Sequence, residues 1–245
     1  IVALGYYTGV EVVNAGDVTA SSTSGYSQAI AVRSATGAII SNSGSITAGN
    51  GDALAISITG AGSVTNNDGD ISGGITADDG DDFIYNNAGG RIFLTNDTID
   101  LAGGYNYFFN DGKLYADGLN NSIDMGNGYM VNPVSVLSYS EYGSNSSTFY
   151  NYGNSIHMDD GATNDALTII GNFAGDGSIV VDVDGQSLSS DRLYIEGDVV
   201  SGTANVVDVN LLSIPDASDI VDGITIPIVT VSGANVAGNF VLGDV

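Results

Sequence analysis

The stretch NAGDV, residues 14–18, is the first copy of a short phrase that recurs through the chain. Each copy has Asn, any residue, Gly and then an apolar residue after one or two further positions. The copies begin at Asn14, Asn42, Asn67, Asn87, Asn110 and Asn151, at spacings of 28, 25, 20, 23 and 41 residues. A period this short predicts a solenoid, because one repeat cannot bury a core alone and must stack on its neighbours.

The residues around each Asn-Gly turn form short alternating runs that are typical of β-strands, such as 53–58, 83–85 and 105–109. Before residue 160 no segment carries apolar residues at helical spacing over three turns, and Leu is scarce. Helical and leucine-rich repeats are therefore disfavoured, and the period is too short for the four strands of a propeller blade. The sequence predicts an all-β parallel β-helix with two or three short strands in each coil.

A second phrase runs in phase with the first and ends in a corner rich in Gly, Asn and Asp. Its copies begin at Ile46, Ile75, Ile99, Ile123 and Ile156. The copy at Ile123 lies inside the long gap between Asn110 and Asn151. At about 22 residues per coil, the chain is expected to form about ten coils. The Asn of each coil is expected to stack on the next one as a ladder of side-chain amides.

Aromatic residues accompany the Asn repeat at Tyr85, Phe108, Phe109, Phe149 and Tyr150. We expect them to stack inside the solenoid or on one of its faces rather than to hold a cofactor. An exposed row of Tyr that grips a sugar or a protein is the alternative interpretation.

Charge and composition limit the classes of function. The chain has 29 acidic and four basic residues, and it lacks Cys and Trp. The negative electrostatic field of such a chain repels nucleic acid and anionic membrane surfaces, so we expect no nucleic-acid partner. No apolar run reaches the 18 residues of a transmembrane helix, so we expect no membrane insertion. The composition is typical of exported bacterial surface proteins, in which free thiols are avoided.

The sequence contains no recognisable catalytic motif. His157 is the only His, and no hydrolase-type Ser phrase accompanies it. The carboxylates at 78–82 and 159–160 lie at Gly-containing corners and are interpreted as solvated turns. The run GDDFI at 80–84 matches half of a calcium-binding nonapeptide, which leaves structural calcium as an alternative. We expect no enzyme, and no catalytic, cofactor-binding or metal-ligating residue.

The last third of the chain differs from the rest. The pattern Asp-x-Leu-x-Ile-x-Gly occurs at 165–171 and again at 191–197, and a Val-rich strand follows each copy. The run Ile-Pro-Ile-Val at 226–229 precedes the end of the chain. We therefore divide the chain into repetitive coils at 1–164 and C-terminal coils with a cap at 165–245.

With these motifs the chain resembles the passenger region of a classical monomeric autotransporter of Gram-negative bacteria, exported by type V secretion. In that family the passenger is a right-handed β-helix, and segments like 165–245 form a stable autochaperone region before the outer-membrane barrel. The resemblance implies export across the outer membrane and an extracellular or cell-surface location. Because no barrel strands follow Val245 and Ile1 begins within a strand, we expect a released passenger or part of a longer chain.

The resemblance also implies a non-enzymatic virulence function in adhesion to host cells, matrix or sister cells, with a protein or glycan surface ligand. The alternative is self-assembly of copies of the chain into a fibre or surface layer. The strand edges predicted to make such contacts are at Ile1, Val2, Leu4, Phe240 and Leu242. The irregular stretch 131–147 is a candidate binding loop.

Overall fold

We describe the fold from a computed structural model of the chain. The structure describes residues 1–21, 26–49, 53–126, 147–152, 156–200, 204–214, 225–235 and 239–245. All regular elements in these ranges are β-strands, and no helix that could cross a membrane occurs in them. The candidate binding loop at 131–147 lies outside the described residues, except for Ser147.

The strands are short and follow one another at regular intervals. In chain order they are β1 (Val2–Gly5), β2 (Val10–Asn14), β3 (Asp17–Ala20), β4 (Ser27–Ser34), β5 (Ala38–Asn42), β6 (Ser45–Ala48), β7 (Ala53–Thr59), β8 (Gly62–Asn66), β9 (Asp70–Ser72), β10 (Gly74–Thr76), β11 (Phe83–Asn86), β12 (Arg91–Thr95) and β13 (Thr98–Asp100). They continue as β14 (Tyr107–Asn110), β15 (Lys113–Asp117), β16 (Asn121–Asp124), β17 (Thr148–Asn151), β18 (Ile156–Met158), β19 (Ala166–Ile170), β20 (Asn172–Gly175), β21 (Ser178–Asp184), β22 (Ser189–Ser190), β23 (Arg192–Ile195), β24 (Asn205–Ser213), β25 (Val229–Val231) and β26 (Phe240–Leu242).

Three parallel sheets arise because each strand except β22 pairs with its equivalents in neighbouring coils; β22 instead pairs antiparallel with β21. Sheet A has the order β1-β4-β7-β10-β13-β16-β19-β23-β25. Sheet B has the order β2-β5-β8-β11-β14-β17-β20, and sheet C runs from β3 through β6, β9, β12, β15, β18, β21 and β24 to β26. The prediction of an all-β parallel β-helix is confirmed. The described residues form nine coils, against about ten predicted.

Stacked columns of apolar side chains form the core, because in-register pairing places like residues on like residues. The column of sheet A contains Ile56, Ile75, Ile99, Ile123, Ile169 and Ile195. The column of sheet C contains Ile46, Ile71, Ile92, Leu114, Ile156 and Ile179. All twelve side chains are buried. Burial of a side chain of this size contributes about 1.5–3 kcal/mol, so these columns are a major source of the stability.

The corners between strands need residues with little bulk. At Gly104 the backbone has a φ of +91°, and an added Cβ would collide with the carbonyl oxygen of Gly80 in the preceding coil. Gly is therefore required there both for its backbone conformation and for the close approach of two coils.

The division predicted at residue 165 does not interrupt the sheets. Strand β16 pairs with β19, β17 with β20, and β18 with β21. The coils after residue 165 therefore continue the same solenoid.

Candidate ligand-binding surface

A ladder of Asn side chains lies at the carboxyl ends of the sheet B strands. It contains Asn14, Asn42, Asn66, Asn86, Asn110 and Asn151, all buried. The amide nitrogen of each one donates to the amide oxygen of the next at 2.8–3.2 Å. The same nitrogens also donate to backbone carbonyls at the corner, as Asn86 does to Lys113 O. The ladder therefore satisfies polar backbone groups at the carboxyl end of sheet B and holds consecutive strands of the sheet in register.

Two members of this ladder differ from the sequence prediction. The structure places Asn66 and Asn86 in it, rather than Asn67 and Asn87. Asn86 pairs with Asn110 in register, while Asn87 lies in the turn and is exposed. The turns after Asn66 and Asn86 are longer than the turn after Asn110, so the Asn-x-Gly phrase falls one residue beyond the strand end.

A second polar column lies at the opposite end of sheet B. The backbone N–H of Gly62 donates to Asp82 Oδ1 at 2.8 Å, that of Asp82 to Asn106 Oδ1 at 2.9 Å, and that of Asn106 to Ser147 Oγ at 3.1 Å. Asp82 is buried, which corrects its interpretation as part of a solvated turn. Burial, reinforced by the charges of Asp78 and Asp81, raises the pKa of Asp82 to about 7. The carboxyl is inside because it satisfies a corner N–H of the coil before it.

A third set of buried carboxylates lies at the corner between sheets C and A. Asp165 Oδ1 accepts from the N–H of Gly118 at 2.7 Å, and Asp191 Oδ1 accepts from the N–H of Asp165 at 3.0 Å. Burial raises the pKa of Asp191 to about 7 and that of Asp165 to about 6. The first residue of each Asp-x-Leu-x-Ile-x-Gly copy is therefore an internal acceptor that joins consecutive coils.

The aromatic residues of sheet B divide between its two faces. Phe108, Phe149 and Phe173 point inward and form a buried column, with Phe108 and Phe149 edge to face at 4.9 Å. Tyr85 and Phe109 are half-buried and lie on the outer face. These aromatics therefore stack both inside the solenoid and on its outer face, because neighbouring residues of a strand point to opposite sides.

Six aromatic rings cover part of the outer face of sheet B. We call this the aromatic face; it contains Phe83, Tyr85, Tyr107, Phe109, Tyr150 and Tyr152. Ring centroids are 5.5 Å apart between Phe83 and Tyr107 and 5.3 Å apart between Tyr85 and Phe109, with planes within 9° of parallel. Parallel rings this close cannot lie side by side in one plane. They overlap in offset stacks, so within a row the ring faces cover one another and the edges point to solvent.

The aromatic face ends at small residues in the preceding coil. Phe83 pairs in register with Ser63, and Tyr85 pairs with Thr65. The rings of Phe83 and Tyr85 are therefore not covered by another ring on the side of the preceding coil. A shallow groove of about 480 Å³ begins here, lined by Phe83, Ser63, Asp81 and Glu11 among others. This arrangement combines an uncovered ring with hydroxyl and carboxylate groups, which is suitable for an uncharged polar ligand with an apolar side.

A shorter aromatic row lies on the outer face of sheet C. The rings of Phe93 and Tyr115 are 4.7 Å apart, and the ring of His157 is 5.0 Å from Tyr115. The Arg91 guanidinium lies 5.9 Å from the centroid of Phe93, and His157 Nδ1 is 2.8 Å from Asp159 Oδ1. His157 is thus part of a surface stack.

The predicted assembly edges lie at opposite ends of the described coils. Val2 is 74% exposed, Leu242 is 67% exposed, and Ile1 and Leu4 are also exposed. Phe240 differs because it is half-buried, with its ring centroid 5.9 Å from that of Phe173.

Chain folding also brings together residues that the sequence analysis did not group. Carboxylate oxygens of Asp117, Asp160 and Asp165 lie within 4.8 Å of one another.

The sequence analysis found only part of the aromatic face, because it did not assign Phe83, Tyr107 and Tyr152 to a row. Each of them lies two positions from another ring of the face, and this strand period is the signal that could have found them.

Comparisons with models of protein families, curated proteins and solved structures gave no significant match to this chain.

Proposed function

We propose that this chain is a non-enzymatic adhesive rod and that the aromatic face is its ligand-binding surface. The observation that carries the proposal is the presence of six rings on the outer side of a sheet. An outer sheet face in contact with water is usually polar. A contiguous aromatic surface is instead a feature of binding sites, in which Tyr and Phe are enriched.

The groove beside Phe83 favours a glycan as the ligand. The C–H groups of a sugar ring can pack on the uncovered face of Phe83, while its hydroxyls donate to the carboxylates of Asp81 and Glu11. The net charge of −25 disfavours sulfated or sialylated glycans, because they would be repelled. The ligand class that fits is therefore a neutral oligosaccharide.

The rod shape suits this function. Coils repeat at about 4.8 Å along the axis, so the aromatic face extends along the side wall and can contact several units of a polymeric ligand. Weak contacts of this kind gain strength when many rods act together on one surface. The resemblance to autotransporter passengers supports an extracellular or cell-surface location for such a rod.

The test is binding of the purified chain to an array of neutral oligosaccharides, with heparin as an anionic comparison. Phe83→Ala removes the uncovered ring that lines the groove and is expected to weaken binding about tenfold or more. Phe83→Tyr keeps a ring and is expected to bind. Phe93→Ala is the matched control, since it removes a ring from the row on sheet C.

Two results would contradict the proposal. Binding unchanged by Phe83→Ala would exclude the groove, and equal losses in Phe83→Ala and Phe93→Ala would indicate a general effect on the fold. Circular dichroism of each variant separates lost binding from lost structure.

Self-assembly is a second candidate function, supported by the exposed apolar side chains of β1. Val2 and Leu4 lie on a sheet edge whose backbone groups can pair with another strand. Light scattering and electron microscopy at rising concentration test it: fibres that disappear in Val2→Lys would support assembly, and rods of constant length would contradict it.

A further inference from the structure

Three carboxylates from two successive corners of the solenoid lie close together. Asp117 ends β15, Asp160 lies in the turn after β18, and Asp165 directly precedes β19. Each contributes a carboxylate oxygen to a cluster in which these atoms lie within 4.8 Å of one another. Neither ion pair among the described residues involves any of the three.

The environment of Asp165 shows that this cluster differs from a solvated group of acids. Asp165 is only 1% exposed. Its Oδ1 accepts from the N–H of Gly118, but its Oδ2 is buried without a hydrogen-bond partner. Burying a carboxylate oxygen without a partner costs free energy, because the oxygen loses its hydrogen bonds to water and forms no others in the protein.

We infer that Asp117, Asp160 and Asp165 bind one divalent cation of the Ca²⁺ type. Ca²⁺ binds oxygen ligands at about 2.3–2.6 Å, so two ligands of one ion can be about 5 Å apart, which accommodates the cluster. The cation gives Asp165 Oδ2 the partner that the protein does not supply. Asp117 and Asp160 are exposed, which provides an entry path and leaves room for water as further ligands.

This site lies apart from the half-motif at 80–84. It assigns metal-ligating residues in a chain for which the sequence analysis predicted none. A bound cation would join the end of β15 to the connection between β18 and β19, which is the equivalent corner of the next coil. Because it binds the folded chain, it raises the stability in proportion to the logarithm of its concentration above the Kd.

The test is a titration of the whole chain with CaCl₂ at about 150 mM NaCl, followed by isothermal calorimetry and thermal unfolding, with MgCl₂ for comparison. We expect one Ca²⁺ per chain and a Tm that rises with its concentration. Asp117→Asn and Asp160→Asn are expected to raise the Kd about tenfold or more each, because each removes a charged ligand. Both residues are exposed, so neither change disturbs the core.

The matched control is Asp17→Asn, which removes the same charge from an exposed position on β3. It is expected to bind Ca²⁺ as the unmodified chain does. The inference is overturned if Ca²⁺ gives no heat and no rise in Tm up to about 10 mM. It is also overturned if all three variants respond alike, since that result would indicate diffuse screening of the acidic surface.

Discussion

The Asn ladder gives the sharpest quantitative prediction, because the chain provides a control residue next to a ladder residue. Asn86 is 1% exposed; it accepts from Asn66 at 2.9 Å and donates to Asn110 at 2.8 Å and to Lys113 O at 3.1 Å. Asn87, the next residue, is exposed in the turn. Replacing each by Ala compares an internal amide with a surface amide of the same type.

The expected loss for Asn86→Ala follows from these bonds. Two of the hydrogen bonds contribute about 0.5–1.5 kcal/mol each, and removing the third leaves the buried Asn110 Oδ1 without a donor at a cost of about 1–3 kcal/mol. The total is about 2–6 kcal/mol, which for a chain of this size lowers the Tm by about 4–24 °C. Asn87→Ala is expected to change the stability by less than about 0.5 kcal/mol.

Thermal unfolding followed by circular dichroism measures both variants under the same conditions. A similar Tm for Asn86→Ala and Asn87→Ala would refute the reasoning, because it would mean that the buried amides contribute no more than exposed ones. A loss below about 1 kcal/mol for Asn86→Ala would refute it as well.

Two further predictions concern buried carboxyls and corners. Asp82 and Asp191 have pKa values raised to about 7 by burial, against 3.8 ordinarily, so the folded chain holds protons that the unfolded chain releases. The stabilising contribution of these two protonated carboxyls is complete below about pH 4 and is lost as the pH rises through about 7. The Tm should therefore fall over this range, and Asp82→Asn should make the Tm depend less on pH. A Tm that rises with pH would contradict this reasoning. Gly104→Ala should lower the stability by about 2 kcal/mol or more. Gly16→Ala should change it little, because nothing lies within 4 Å of the added Cβ. Equal Tm values for the two variants would contradict the need for Gly at position 104.

The architecture could be predicted from the sequence because the repeat itself carries the information. Strand type, coil length and the presence of an Asn ladder all follow from a phrase that returns at a nearly fixed spacing. The exact ladder residues could not be read in two coils. At 66–67 and again at 86–87 the sequence offers two adjacent Asn residues, and only the strand pairing shows which one is inside.

The surfaces were harder to predict, since they depend on how coils align rather than on the repeat. Phe108 and Phe109 are neighbours in sequence but lie on opposite faces of the sheet. Asp82 resembles its exposed neighbours, and its burial follows from the N–H of Gly62 in another coil. The contact between Gly118 and Asp165 spans 47 positions, a separation that no local pattern indicates.

The ladder also shows where this protein can accept additional sequence. Its amide bonds join residues 20 positions apart between Asn66 and Asn86, and 41 positions apart between Asn110 and Asn151, at nearly the same distance. Closing a longer connection costs only about 0.6 kcal/mol for each doubling of its length. The interval of sequence between β16 and β17, which already carries the extra length, is therefore where we expect a foreign peptide or a whole domain to be accepted while the stacked coils keep their alignment.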